Sequence, residues 1–515
     1  MIVNKEQIDF TDKFGNSRKK LIVSYVASDG KIKFMEYEIP LTQMYKWQYA
    51  KRKCDINPNY ISYDHKAVKK VPCKRLSEHR MNELLADLCR QNPKLEEMFD
   101  YNVPDTYFCD IETDVDDSGF SDPEVARNPV NTISIAHFPD SIVWGRKPLG
   151  EGGLEYITDK FRTYKSDSDD TAVIKDYHFT YRYFDNEADM LMDFFKYIKD
   201  VPALTGWNFT GYDMNYMYNR ATKVLGMDIS FLSPTRHFFN FKISNTFFSV
   251  TCMLPYHKIV YDYMMVYKKW DKSVEIKENN TLDFVAEAVL GYKKVEHSLG
   301  FKEFYEQQYA DYVFYNAVDS ILVEQIDKKI HTSRIWFNMA SELRIEMNMA
   351  FSTIAPTEIV LGNFAYQKNM VIPEVYKEPV NEKGYKGAFV WKTQPGIYKY
   401  VGSLDFSSLY PTTIREFNMS PETYVCKLFE ELDDDIPEHE AIRQQKLSEY
   451  RKTKLLPTQI LTKSGTIFDK SYQGLLPEVL TYYFKKRKES KRIRKQIDAE
   501  CEYLKKILKA KEANQ

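Results

Sequence analysis

The run Thr106-Tyr107-Phe108-Cys109-Asp110-Ile111-Glu112 sets two carboxylates two positions apart. Side chains alternate across a strand, so Asp110 and Glu112 share one face. Two carboxylates buried side by side are unfavourable unless a cation neutralises them. The D-x-E spacing alone is uninformative, because it recurs at Asp122/Glu124, Asp185/Glu187 and Asp498/Glu500. Only Asp110 and Glu112 emerge from an aromatic, apolar strand, and a divalent-metal pair is the chemistry that suits such a placement. Further along, Asn208 and Asp213 flank a loop that enters a helix over Met214–Arg220. An Asp at a helix start most often caps it. Tyr315 and Asp319 stand four apart on a predicted helix and hence on one face. Taken alone, that spacing describes an ordinary helix.

In chain order, a D-x-E strand, then N-x4-D, then Y-x3-D resembles the three motifs of the DEDDy 3′→5′ exonucleases. The resemblance implies an RNase-H-like domain that hydrolyses phosphodiesters with two Mg2+ or Mn2+ ions about 3.5–4 Å apart. By that resemblance Asp110 bridges the two metals, Glu112 and Asp319 complete one site, and Asp213 serves the other. Tyr315 would orient the attacking water.

A second group follows at Asp405-Phe406-Ser407-Ser408-Leu409-Tyr410-Pro411. It resembles the D-x-x-S-L-Y-P motif of family B DNA polymerases. Ile414-Arg415 and Asn418-Met419-Ser420-Pro421-Glu422-Thr423 resemble the version carried by T-even-type bacteriophages. Lys386-Gly387-Ala388-Phe389-Val390 resembles the family's segment between exonuclease and palm. Asp405 is expected at a strand end, its carboxylate and the Phe406 carbonyl facing the nucleotide's metal. Ser408, Leu409 and Tyr410 would turn and present backbone N–H groups to phosphates. The Tyr410 ring would lie under the sugar and exclude a 2′-hydroxyl. Phe484 to Lys491 resembles the start of the fingers. Arg487 and Lys491 share a helix face there, and by resemblance grip the triphosphate.

The family's later K-x3-N-S-x-Y-G helix and D-T-D strand do not occur in this sequence. The resemblance therefore implies the N-terminal subunit of a viral replicative polymerase, split within the fingers. It would carry the proofreading exonuclease and half of the polymerase site. A second polypeptide would bring the rest of palm, fingers and thumb. Primer-template, single-stranded DNA and deoxynucleoside triphosphates are the implied ligands. A sliding clamp and a single-strand-binding protein are further implied partners, and the cytoplasm of an infected bacterium is the implied location. Two rivals remain: a stand-alone 3′→5′ exonuclease, and a non-catalytic nucleic-acid-binding regulator.

The elements that must position these residues can be traced along the chain. At 515 residues the chain exceeds one hydrophobic core, and roughly three to five domains are expected. Hydrophobic content of 43% and charged content of 28% describe a globular protein. The net charge of −2 excludes a global polyanion signature, so any DNA site depends on local charge segregation. The 38 tyrosines offer stacking faces suited to nucleic acid, and a tyrosine-rich, AT-biased genome would account for them equally. Seven dispersed cysteines without a C-x-x-C pair argue against a zinc site or a disulfide framework. Charged residues interrupt the first twenty positions, so no signal peptide is read there. No apolar run reaches the ~20 residues of a membrane helix.

Strands are expected over Lys20–Val26 and Ile32–Ile39, and alternating strands and helices from Thr106 to about residue 332. Loops are expected over Ser118–Asn131 and Ser166–Asp170, with helices from Ser333 to Met370 and a linker over Val371–Gly387. A β-rich unit should begin near Gly387. A hairpin is expected over Ile460–Phe468, turning at Ser464-Gly465. A long helix should open at Pro477, with an apolar stripe at Ile493, Ile497, Leu504 and Leu508. The fold class is α/β and α+β multidomain. Its expected parts are an N-terminal β-rich domain (1–104 plus 333–376), the exonuclease domain (105–332), a partial palm (377–460) and half of the fingers (461–515).

Overall fold

The computed structural model describes the chain except residues 53–55, 117–118, 165–173, 245–248, 272–278, 293, 353, 375–393, 407, 430–436 and 513–515. Its contacts group the chain into two compact units, Met1–Pro40 with Asp87–Pro356 and Leu41–Ala86 with Thr357–Gln515.

The first unit begins with an antiparallel sheet of Ile2–Thr11, Ser17–Val26 and Ile32–Glu38. A six-stranded mixed sheet follows, in the order 178–183, 140–145, 130–137, 106–113, 203–206, 259–262. Thr106–Thr113 lies inside it, antiparallel to Val130–His137 and parallel to Ala203–Gly206. An interior strand is covered on both faces, and Phe108, Cys109 and Ile111 are buried. The core against this sheet gathers Trp144, Phe194, Phe195, Phe209 and Tyr216. The helix Tyr309–Ile330 packs on strands 106–113 and 130–137 and is buried continuously from Tyr312 to Ile326. The polar residues of that stretch, Asn316, Asp319, Ser320, Glu324 and Gln325, are buried with the rest.

A buried ion pair ties three segments of this unit together. Arg220 donates to both Glu187 oxygens (Nε–Oε1 2.9 Å, Nη2–Oε2 2.7 Å) and to the carbonyls of Ala126 (3.2 Å) and Arg127 (2.6 Å). Glu187 also accepts from the Val130 N–H at 2.7 Å. The guanidinium fork thus joins the helix Glu187–Ile198, the turn before strand 130–137, and the chain just past the helix Asp213–Asn219.

In the second unit, Tyr45–Tyr49 pairs with Val68–Pro72, and Ile61–Ser62 pairs with Met370–Val371. Trp47 centres a cluster with Tyr45, Val68, Tyr366 and Val371, its indole N–H donating to Glu83 at 2.9 Å. The expected hairpin is present as Gln459–Leu461 against Thr466–Asp469, with Gly465 at φ +82° in the turn. Pro477 lies in the first turn of the helix Leu475–Glu512. Asn418, buried at φ +53°, donates to the carbonyls of Asp469 (2.6 Å) and Tyr472 (2.8 Å) and accepts from the Gly474 N–H (2.9 Å). It thereby docks the end of the helix Leu409–Glu416 beside the start of the long one.

The mixed α/β class, the N-terminal β-rich region and the helices after residue 332 are as expected, the last as Thr332–Leu343 and Ala355–Gln367. The strand end expected at Asp405 differs: residues 394–406 form no strand, and Leu404 and Phe406 are exposed. No described strand pairs with that segment, and an isolated extended run has no ladder to hold it. The segment Lys386–Val390, the expected unit near Gly387, Ser118 and Ser166–Asp170 lie outside the described residues.

Candidate functional site

Asp110 stands opposite Ser134 and Glu112 opposite Thr132 in the sheet register, so both point to one face. The helix Tyr309–Ile330 brings Asp319 to the same place. Carboxylate oxygens of Asp110, Glu112 and Asp319 all lie within 4.8 Å of one another. Asp213, at the first position of its helix, does not cap it. Tyr212 holds the cap position. The Asp213 Oδ1 instead accepts from the Ile111 N–H at 3.0 Å, between the two strand carboxylates.

Glu112, Asp213 and Asp319 are buried, and Asp110 is partly so. Burial first, and then the neighbouring acids, push the Asp110 carboxyl well above its ordinary range. Burial does the same to Glu112, against the pull of Lys294. Asp213 is pushed up to about 8, chiefly by burial and against the Ile111 N–H bond. Oδ1 of Asp319 is buried with no hydrogen-bond partner among the described residues. Clustered oxygen ligands, carboxyl pKa values raised by crowding and burial, and an orphaned buried oxygen fit hard divalent cations such as Mg2+ or Mn2+.

The sequence reading missed three neighbours. Lys294 Nζ lies 2.6 Å from Asp319 Oδ2 and 4.4 Å from the centre of the Tyr315 ring. Burial opposes its charge, yet Asp319, Tyr315, Glu112 and Asp110 hold its pKa above the ordinary lysine range. Asn316 donates to Asp110 Oδ2 at 2.7 Å, and Ser134 donates to the Asn316 carbonyl at 2.8 Å. Nothing local marks Lys294, because its partner is supplied by the fold. Asn316 had only a weak signal: it is one of five polar residues, with Asp319, Ser320, Glu324 and Gln325, in the buried stretch Tyr312–Ile326. Tyr315 is buried against His297, Phe301 and Phe304, and burial followed by Asp319 keeps its phenol protonated far above neutrality.

In the second unit Ser408 (φ +55°) starts the helix Leu409–Glu416, and Arg487 Nη1 reaches its hydroxyl at 3.2 Å. Arg415 braces the two helices through Thr481 (3.0 Å) and the Phe484 ring (4.7 Å). Asp405, Phe406, Leu409, Tyr410 and Lys491 are exposed, and Asp405 joins no carboxylate cluster among the described residues. Ile493, Ile497 and Leu504 are likewise exposed on the long helix, and the Leu508 side chain lies outside the described part.

The first unit thus holds a mixed sheet with a carboxylate cluster, and the second a basic helix beside Ser408. The chain belongs to DNA polymerase family B. The family's exonuclease-domain model matches residues 59–281 and its polymerase model residues 345–512. The DNA-directed DNA polymerase of Escherichia phage RB69 is 30% identical over 74% of this chain and 41% of its own length. That of Enterobacteria phage T4 is 27% identical over 64% of the chain and 35% of its length. The DNA polymerase delta catalytic subunit of Schizosaccharomyces pombe is 24% identical over 60% and 28%. The matches thus span less than half the length of these relatives. Asp110, Glu112 and Asp213 fall within the exonuclease match, and Asp405, Ser408, Tyr410 and Arg487 within the polymerase match. Tyr315 and Asp319 lie between the two, so their assignment rests on the geometry.

Proposed function

We propose that this chain carries a 3′→5′ exonuclease acting on single-stranded DNA, within a viral replicative DNA polymerase. The observation that carries the reading is the buried cluster of Asp110, Glu112 and Asp319 with Asp213 bonded beside it. Asp110, Glu112, Asp213 and Asp319 would hold two divalent cations, which supply charge stabilisation and an acidified water for phosphodiester hydrolysis. Asp319 is held by Lys294, an ammonium that also offsets the acids against a polyanionic substrate. Tyr315 remains a neutral phenol, suited to orient a water by hydrogen bonding.

The second unit is proposed to contribute half of a polymerase site for primer-template and deoxynucleoside triphosphates. Asp405 and the Phe406 carbonyl would face a metal. Ser408, Leu409 and Tyr410 would face the nucleotide, with Arg487 and Lys491 on its phosphates. The contact between Arg487 and Ser408 supports this, because it places a guanidinium beside the turn that would cradle phosphates. A second polypeptide is proposed to bring the other carboxylate. The exposed Leu404, Phe406, Ile493, Ile497 and Leu504 offer apolar surface for it to cover. The domain borders proposed are 1–104 with 333–376, 105–332, 377–460 and 461–515. The cytoplasm of an infected bacterium is the proposed location, with clamp and single-strand-binding protein as further partners. Among the described residues no helix is long and apolar enough to cross a membrane.

Purified alone with Mg2+, the chain should shorten DNA from the 3′ end and add no nucleotide to a primed template. Primer extension by the isolated chain would remove the second polypeptide from the account.

A further inference from the structure

We propose that Asn316 is a positioning residue that fixes how Asp110 presents its carboxylate to metal. The inference rests on the exonuclease reading above and assigns a role within that same site. Asn316 is wholly buried, and its Nδ2 donates to Asp110 Oδ2 at 2.7 Å. The ionised form that binds metal only accepts, which suits an Asn316 N–H turned toward Asp110.

The bond is clamped from behind. Ser134 Oγ donates to the Asn316 carbonyl at 2.8 Å and lies 3.4 Å from the Asp110 carbonyl. Ser134 is also the cross-strand partner of Asp110. Two strands and one helix thus meet at three residues, and rotating the Asp110 side chain would break its hydrogen bond from Asn316. Oδ2 is engaged, while Oδ1 accepts no hydrogen bond among the described residues.

A merely structural polar residue here finds its partners inside the fold, as Glu324 does with the Phe138 N–H (3.0 Å) and the Tyr177 hydroxyl (2.7 Å). The stretch from Tyr312 to Ile326 is buried throughout, and Asn316 Oδ1 has no partner among the described residues. Burying an amide with half its capacity unmet is unfavourable. An apolar residue of the same shape would avoid that loss, and would also release the carboxylate. Hydrogen-bond partners of metal ligands typically change metal affinity or activity by about 10- to 100-fold.

The test uses the whole chain and Mn2+ itself, followed by electron paramagnetic resonance, beside Mg2+-dependent cleavage of a labelled oligonucleotide. Asn316→Leu keeps the shape and removes the donor. Mn2+ affinity should fall about 10- to 100-fold, with kcat reduced and KM for DNA unchanged. Asn316→Ala should behave alike, and serves if the Leu variant does not fold, as judged by its melting curve. A purely structural role would lower the melting temperature and leave the Mn2+ affinity of the folded fraction untouched. That result overturns the proposal. Asp110→Asn separates the two readings. Asp110-dependent Mn2+ binding without DNA cleavage would defeat the exonuclease reading alone. Wild-type Mn2+ affinity in both Asn316 variants would defeat the positioning role alone.

Discussion

Lys294 Nζ sits 2.6 Å from Asp319 Oδ2 and 4.4 Å from the centre of the Tyr315 ring. The protein thus keeps one cation of its own against its acidic cluster. Lys294→Met should therefore destabilise the metal-free protein by about 2 kcal/mol. That is below the 3–5 kcal/mol of a fully buried broken pair, because Lys294 retains 29% exposure and Asp319 can take up a proton. Denaturation with and without Mg2+ checks this: Mg2+ should recover more stability in the variant than in the wild type. Equal stability of the two metal-free proteins would contradict it.

Asp110→Asn removes a like charge from a crowded site and keeps the shape. In the absence of divalent cations the variant should melt no lower than the wild type. Its nuclease rate should nevertheless fall by more than the roughly 100-fold reached by outer partners. Melting curves and oligonucleotide cleavage measure the two arms.

The raised carboxyl pKa values give a pH dependence of known sign. Asp213 titrates near pH 4 in the unfolded chain and at about 8 in the folded one. Across that window the folded state binds more protons, so the stability from this group is complete below about pH 4 and is lost as pH rises through 8. Asp110 and Glu112 shift in the same direction. Metal-free protein should therefore lose stability with rising pH, as followed by thermal melting. Added Mg2+ displaces protons, so its stabilising effect should grow from pH 5 to pH 8.

The ion pair of Arg220 and Glu187 is buried on both sides (each side chain 9% exposed). Glu187→Ala leaves a buried guanidinium without its counter-charge and should cost about 3–5 kcal/mol. The double change Glu187→Met with Arg220→Leu should cost less than Glu187→Ala alone, since both charges leave together. Urea denaturation of the variants checks the order.

The readable parts of this chain were those governed by local periodicity. Strand alternation was enough to place Asp110 and Glu112 together, and helical spacing was enough to align Tyr315 with Asp319. Asp213 was less legible, because the local rule makes an Asp at a helix start a cap. Here the strand offers Ile111's N–H instead, a partner 102 positions away. Lys294 and Ser134 act through partners that only the tertiary fold supplies. Around Asp405 the local pattern read as a strand, and no described neighbour gives it a ladder.

The most direct measurement follows a single-stranded oligonucleotide labelled at its 5′ end, incubated with the purified chain and Mg2+. The account predicts labelled products shortened stepwise from the 3′ end, abolished by chelation and absent with Asp110→Asn. An intact substrate with the wild-type chain, or unchanged cleavage by Asp110→Asn, would contradict it.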